Sequence, residues 1–172
     1  MFKWLFGKKE EAADVGGTAE IIVINRQIRM PIERAFAVFV DELHTWWPSD
    51  LTWAKERLDR IGIEPKIGGH GYERDMDGNT SIWGTVLSMK RPEHIVLAWQ
   101  IRPDRTAEPS EAAASRVDAR FVAVDRSTTD LILVHRDFPR HGEGWQAYRS
   151  AMASKQGWPR LIQAYAKTAG GA

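Results

Sequence analysis

The chain has 172 residues, the usual length of one domain, and its apolar and charged fractions of 43% and 27% are ordinary for a globular protein. A formal net charge of +1 gives no reason to expect nucleic-acid binding, and the lack of cysteine excludes disulfides, thiolate metal sites and a cysteine nucleophile. The unusual count is eight tryptophans, an aromatic surface that must either pack in a core or line a cavity.

The two ends of the chain differ in composition from the middle. We expect residues 1–19 to be a flexible N-terminal tail, residues 20–168 to be one domain, and residues 169–172 to be a C-terminal tail. The apolar run Phe2-Trp4-Phe6 is too short for a signal peptide or a membrane span, so it is either a floppy tail or a weak membrane contact. The chain is therefore expected to be cytoplasmic, a monomer or a homodimer, with no stable membrane insertion.

The first elements are a strand and a helix. The β-branched run from Ile21 to Ile24, with Ile28, predicts a strand at about 20–29. Pro31 stands where a helix can begin, and the apolar residues that follow recur at helical spacing, which predicts an amphipathic helix at about 31–43. The sequence Trp46-Trp47-Pro48 ends it.

Five or six antiparallel strands follow from Arg57 onward, because apolar residues alternate between turn signals. The evidence for them, in order, is Leu58, Ile61, Ile63 and Ile67; weak alternation from His70 to Met76; a hairpin turn at Asp77-Gly78; Ser81 to Met89; Ile95, Leu97, Trp99 and Ile101; a loop at 103–115; Val117 to Ala123; and Leu131, Leu133 and His135.

The end of the chain is helical but interrupted. Proline cannot continue a helix but costs little at a first turn, so Gly157-Trp158-Pro159 predicts a break between a short helix at 145–154 and a second helix. We expect the second helix to be gripped by the sheet through Leu161, Ile162 and Tyr165, with Trp158 one turn earlier. The short helix would cover a cavity as a lid. The fold class is α+β, a curved antiparallel sheet wrapped around a C-terminal helix.

No motif for metal or nucleophilic chemistry stands out. The Asp75–Asn79 stretch resembles a calcium loop but lacks the closing glutamate, so a hairpin turn is the better interpretation. Ile67-Gly-Gly-His-Gly71 precedes a strand rather than a helix, which favours a bend over a phosphate loop. The five histidines form no ligand pair, and a Gly-x-Ser-x-Gly elbow is absent. We expect no metal, no cofactor and no catalytic constellation.

The candidate ligand-binding residues are mainly aromatic. His135 shares strand parity with Leu131 and Leu133, so it points inward, either as a hydrogen-bonded core histidine or as a polar anchor in a cavity. The aromatic residues are likewise either core or cavity wall. The full candidate set is Trp46, Trp47, Trp53, Trp83, Trp99, Phe121, His135, Trp145, Met152 and Trp158.

An ordered series of short motifs resembles a known family. The series is Phe36-x-x-Phe39, Trp46-Trp47-Pro48, Ile67-Gly68-Gly69, Trp83-Gly84-x-Val86, Pro92, Ile95-x-Leu97-x-Trp99, His135-x-x-Phe138 and Gly157-Trp158-x-x-Leu161. Together these motifs resemble the homologues of the activator of the Hsp90 ATPase, within the START-like (SRPBCC, polyketide cyclase and birch-allergen-like) superfamily. The resemblance implies a helix-grip fold with a hydrophobic cavity between sheet and helix.

Three functions are compatible with that resemblance. The leading hypothesis is non-enzymatic binding of a small hydrophobic or aromatic molecule, such as a lipid. The first alternative is a co-chaperone-like module of the stress response that binds a chaperone or another protein. Residues 134–172 carry a net charge of +4, which could attract an acidic partner. The second alternative is a cyclase- or hydrolase-type enzyme with His135 as acid or base.

Overall fold

Eight antiparallel strands form a single sheet that curls around a C-terminal helix. The computed structural model describes residues 14–170, and the side chains of residues 16–169. The strands are β1 (Asp14–Gly16), β2 (Ile22–Ile28), β3 (Leu58–Ile63), β4 (His70–Asp75), β5 (Thr80–Lys90), β6 (His94–Trp99), β7 (Ser115–Ala123) and β8 (Thr129–Arg136). The helices are α1 (Ile32–Val40), α2 (Trp145–Ala153) and α3 (Trp158–Gly170).

The strand order is β1-β2-β8-β7-β6-β5-β4-β3, so the strand before α1 joins the sheet beside the last strand of the chain. Register shifts in the pairings of β3 with β4, β4 with β5 and β5 with β6 mark bulges in β3 and β5. A bulge increases the local twist of its strand. The predicted helix-grip class is confirmed, with six strands between α1 and the terminal helices.

Helix α3 fills the concave face of the sheet and packs against α1 and β2. Its buried face includes Trp158, Leu161, Ile162 and Tyr165, the residues predicted for it. The hydroxyl of Tyr165 donates a hydrogen bond of 2.6 Å to the carbonyl of Ala35 in α1. The predicted break is also confirmed, because α2 ends at Ala153 and α3 begins at Trp158 with Pro159 in its first turn.

Position 157 requires glycine for a steric reason. Its backbone does not adopt the left-handed conformation. A Cβ atom built there would lie 2.2 Å from the carbonyl oxygen of Met152, far inside van der Waals contact. The chain therefore turns so closely between α2 and α3 that only glycine fits.

Other predicted bounds need correction. Asp14–Gly16, placed in the N-terminal tail, pairs with β2 as a strand, and α3 continues to Gly170, into the predicted C-terminal tail. Ile67 lies in the turn after β3 and is 69% exposed, because β3 ends at Ile63. The predicted Phe2-Trp4-Phe6 patch lies outside the described residues.

Two further elements differ in detail. The first helix ends at Val40, and Leu43 belongs to a separate 3-10 turn. Ile101 lies just beyond β6 and makes an isolated bridge to Ala107. The Asp75–Asn79 segment is the predicted hairpin turn, since one carboxylate oxygen of Asp75 accepts hydrogen bonds from the backbone N–H groups of Asp77 and Asn79.

Candidate functional site

A cavity of about 640 Å³ opens between the β3–β6 half of the sheet and the helical end of the chain. Strands β3 to β6 each contribute an inward side chain, namely Ile61, Glu73, Trp83 and Trp99. Helix α2 closes the opposite side with Tyr148, Ala151 and Met152, and we call it the lid helix. The remaining wall comes from the connection at 41–57, the loop that follows β6, the turn between α2 and α3, and Leu161 of α3.

Half of the predicted binding set lines the cavity. The five residues that do so are Trp47, Trp53, Trp83, Trp99 and Met152. The indole rings of Trp47 and Trp83 are nearly parallel, with centroids 6.1 Å apart, and that of Trp99 lies about as close to both, at 6.2 and 5.9 Å. The resulting three-indole cluster gives the cavity a broad, rigid aromatic wall.

The other half of the set lies elsewhere. Trp46 packs in the core between Phe39 and Tyr165, and its indole N–H donates to the carbonyl of Val38. Phe121 is also core, against α1. Trp145 is partly buried against the core outside the lining. The last two residues, His135 and Trp158, bond to each other behind the cavity wall.

His135 is a hydrogen-bonded core histidine. Its side chain is fully buried, and its Nδ1 accepts a 2.9 Å hydrogen bond from the indole N–H of Trp158. Since Nδ1 is the acceptor, the proton is assigned to Nε2, which donates to the hydroxyl of Ser115 at 2.7 Å. That hydroxyl in turn donates to Nε2 of His141 at 2.7 Å. Burial lowers the pKa of His135 well below its ordinary value of 6.5.

This geometry corrects two interpretations of His135. Neither ring nitrogen is free, and the residue does not line the cavity. A group so placed touches no cavity ligand, so His135 is neither the polar anchor of the cavity nor positioned as its acid or base. It holds Trp158 at the start of α3 instead, and through Ser115 it holds His141 beside the lid helix.

The lid helix is fastened to the sheet through one tyrosine. The hydroxyl of Tyr148 accepts a 2.7 Å hydrogen bond from the indole N–H of Trp99 and donates one of 2.9 Å to the carbonyl of Ile101. Burial raises the pKa of Tyr148 to about 12, so its hydroxyl remains a donor at neutral pH. Tyr148 is also the one residue of the lid helix that is buried.

A loop at the rim completes the fastening. The guanidinium of Arg105 lies 4.4 Å from the centre of the Tyr148 ring, a cation–π distance. The carbonyl of Arg105 accepts a 2.6 Å hydrogen bond from the indole N–H of Trp53, across the opening. Trp53, Arg105 and Tyr148 therefore join three separate segments at the rim of the cavity.

Three of the lining residues outside the predicted set are Glu73, Tyr148 and Arg105. Glu73 shares inward strand parity with Gly71, and that parity was the available signal. Tyr148 stands at helical spacing from Trp145 and Met152, a pattern that predicts a helix face but no site. Arg105 has no local signal, since it stands in a polar loop with a left-handed backbone (φ 72°) that only the structure reveals.

The basic surplus of residues 134–172 is partly neutralised in the fold. Arg160 forms a two-pronged ion pair with Asp50, which lies outside that stretch. Arg136 pairs with its neighbour Asp137. Among residues 14–170, no three His, Asp or Glu side chains converge in a way that could hold a metal ion. None of the helices described is long and apolar enough to cross a membrane.

A family model described as "Activator of Hsp90 ATPase homolog 1-like protein" matches residues 29–170. The chain belongs to this family. The resemblance drawn from the ordered motifs is therefore confirmed, and structural neighbours place the fold in the START-like class. No curated protein matches the chain in sequence.

Solved structures give the same architecture. An anthrahydroquino-gamma-pyrone synthase is 25% identical, with 88% of this chain and 99% of that chain covered and a TM-score of 0.61. The self-sacrificing resistance protein CalC from Micromonospora echinospora is 23% identical, with coverages of 87% and 94% and a TM-score of 0.60. An Hsp90 activator from Plasmodium falciparum is 20% identical, with coverages of 84% and 94% and a TM-score of 0.53. The last two likenesses show the fold alone.

Proposed function

We propose that this protein binds a small hydrophobic or aromatic molecule in the cavity beneath the lid helix, without acting on it chemically. The observation that carries the proposal is the aromatic wall built by Trp47, Trp83 and Trp99 around about 640 Å³ of space. Pockets for small molecules usually measure about 300–1,000 Å³ and are lined mainly by apolar and aromatic side chains.

The nature of the wall favours a flat, ring-containing ligand. Indole faces offer large contact areas with little loss of side-chain freedom, and they prefer offset or edge contacts with other rings. The synthase that is 25% identical to this chain has a name that denotes an aromatic polycyclic compound, which supports the same ligand class. Met152 on the lid helix adds an adaptable apolar contact that can adjust to the shape of the ligand.

Native mass spectrometry of gently purified protein tests the proposal directly. We expect a mass adduct that denaturation releases, or saturable binding of at least one compound from a panel of lipids, flavonoids and polyketides. Failure of every member of the panel, with no adduct, would refute the proposed function.

A matched pair of lid-helix variants sharpens the test. Ala151 lines the cavity and Gln146, on the same helix, is exposed and does not. Ala151→Trp should obstruct part of the cavity and weaken binding, whereas Gln146→Trp adds the same side chain to the outer surface and should leave binding unchanged. Equal binding by both variants would place the ligand outside this cavity.

A further inference from the structure

Glu73 places a carboxylate inside the aromatic cavity. It lies on β4 between Ile61 of β3 and Ser81 of β5, on the concave face, and lines the cavity while only 5% exposed. Glutamate is almost never buried to this extent without a partner, because removing a charge from water is costly unless hydrogen bonds or an opposite charge compensate it.

The protein compensates this carboxylate only in part. One oxygen of Glu73 accepts a 3.1 Å hydrogen bond from the backbone N–H of Trp53, and the other accepts one of 2.7 Å from that of Ala54. Within residues 14–170, no Lys, Arg or His nitrogen forms an ion pair with it. A carboxylate has lone pairs for about four donors, so capacity for further donors remains.

The other charged residues of the lining stand at the rim. Lys55 and Arg105 are exposed, and Asp50 is exposed and paired with Arg160. Water and salt screen charges in such positions, whereas a buried carboxylate is screened much less. The faces of the surrounding indoles are also negative, because the aromatic quadrupole concentrates electron density above and below the ring. Within the described part of the chain, Glu73 is the one buried charge among the lining residues.

We propose that the ligand of this cavity is a hydrophobic amine: a ring-containing molecule with a protonated amino group, for which Glu73 is the counter-ion. The inference rests on the proposed function and names its ligand class. The ammonium group donates to the free lone pairs of Glu73, and its ring system lies against Trp47, Trp83 and Trp99. Tryptophan is the best of the aromatic residues for holding a cation over its face.

A pair of probes that differ in charge tests the ligand class on the unaltered protein. Naphthylmethylamine is protonated at neutral pH, and naphthylmethanol is its neutral counterpart of nearly the same shape. A hydrogen bond to a charged group contributes enough to change affinity by roughly tenfold to a hundredfold. By isothermal titration calorimetry, the amine should bind at least about tenfold more tightly than the alcohol.

Variants assign that preference to one carboxylate. In Glu73→Gln the amide oxygen can still accept from Ala54, but the charge is gone, so the two probes should bind with similar affinity. Asp77→Asn removes the same charge from an exposed turn outside the lining, and the preference should persist. Thr52→Ala loosens the same turn by deleting the hydroxyl that accepts from the N–H of Lys55, and the preference should again persist.

The outcomes separate the two proposals. If both probes bind with equal affinity, or if the amine preference survives in Glu73→Gln, the amine inference is overturned and the proposed function stands. If neither probe binds and the native protein carries no adduct, both proposals are overturned. The comparison on the unaltered protein decides the ligand class even where Glu73→Gln does not fold.

Discussion

Replacing Gly71 by alanine should destabilise the protein by pushing on the wall of the cavity. A Cβ atom at position 71 would lie 2.8 Å from three atoms of the six-membered ring of Trp83. That ring is 4% exposed and packed between the indoles of Trp47 and Trp99, so it cannot move aside freely. The ring of Trp83 therefore occupies the space that a side chain at position 71 would need.

The magnitude follows from two opposing effects. Forcing an extra methyl group into a packed site usually costs about 1–3 kcal/mol. Alanine recovers about 0.4–1 kcal/mol by reducing the freedom of the unfolded chain. The free energy of unfolding should therefore fall by about 1–2 kcal/mol, which for a domain of this size lowers the melting temperature by about 2–8 °C. Thermal and urea unfolding, followed by circular dichroism, measure both quantities.

Two controls make the result specific. Gly16 also lies in a strand, but nothing stands within 4 Å of a Cβ atom built there, so Gly16→Ala should be neutral or slightly stabilising. Trp83→Phe gives a smaller ring, and the double variant Gly71→Ala/Trp83→Phe should lose less stability than the sum of the single variants. Strict additivity, or a Gly71→Ala protein as stable as the unaltered one, would refute the steric reasoning.

Two further predictions concern the lid and the buried histidine. Amide hydrogen exchange should be faster in the lid helix, Trp145–Ala153, than in α3, Trp158–Gly170, and a bound ligand should slow exchange in the lid helix. Tyr148→Phe removes the hydroxyl that donates to the carbonyl of Ile101, so exchange in the lid helix should become faster still. Uniform protection of both helices would contradict the lid. In the unfolded chain His135 has its ordinary pKa of 6.5 and takes up a proton below that pH. In the folded protein burial lowers the pKa of His135, so the same proton is not taken up there. The free energy of unfolding should thus fall as pH drops below 6.5, by up to about 1.4 kcal/mol per pH unit from this group. Nitrogen NMR of the folded protein should show that the imidazole of His135 is still neutral at pH 6.5, with its proton on Nε2, and a titration near 6.5 would contradict this.

The sequence by itself determined the helices, the strands from β2 to β8 and their order, but not the short strand β1. Alternating apolar residues identified strands such as β8, whose inward side chains Leu131, Leu133 and His135 are all buried. Proline chemistry located both the start of α1 at Pro31 and the break before Pro159. These features depend on backbone preferences and periodicities within a few residues, so a single chain segment contains the information.

Only the tertiary structure decided which aromatic residues face the cavity. Trp46 and Trp47 are neighbours in sequence, yet the first packs in the core and the second lines the cavity, because each contacts residues that are distant along the chain. Glu73 likewise acquires its hydrogen bonds from residues 53 and 54 only when the 41–57 connection folds over β4. Side-chain placement of this kind depends on long-range packing, which local sequence patterns do not record.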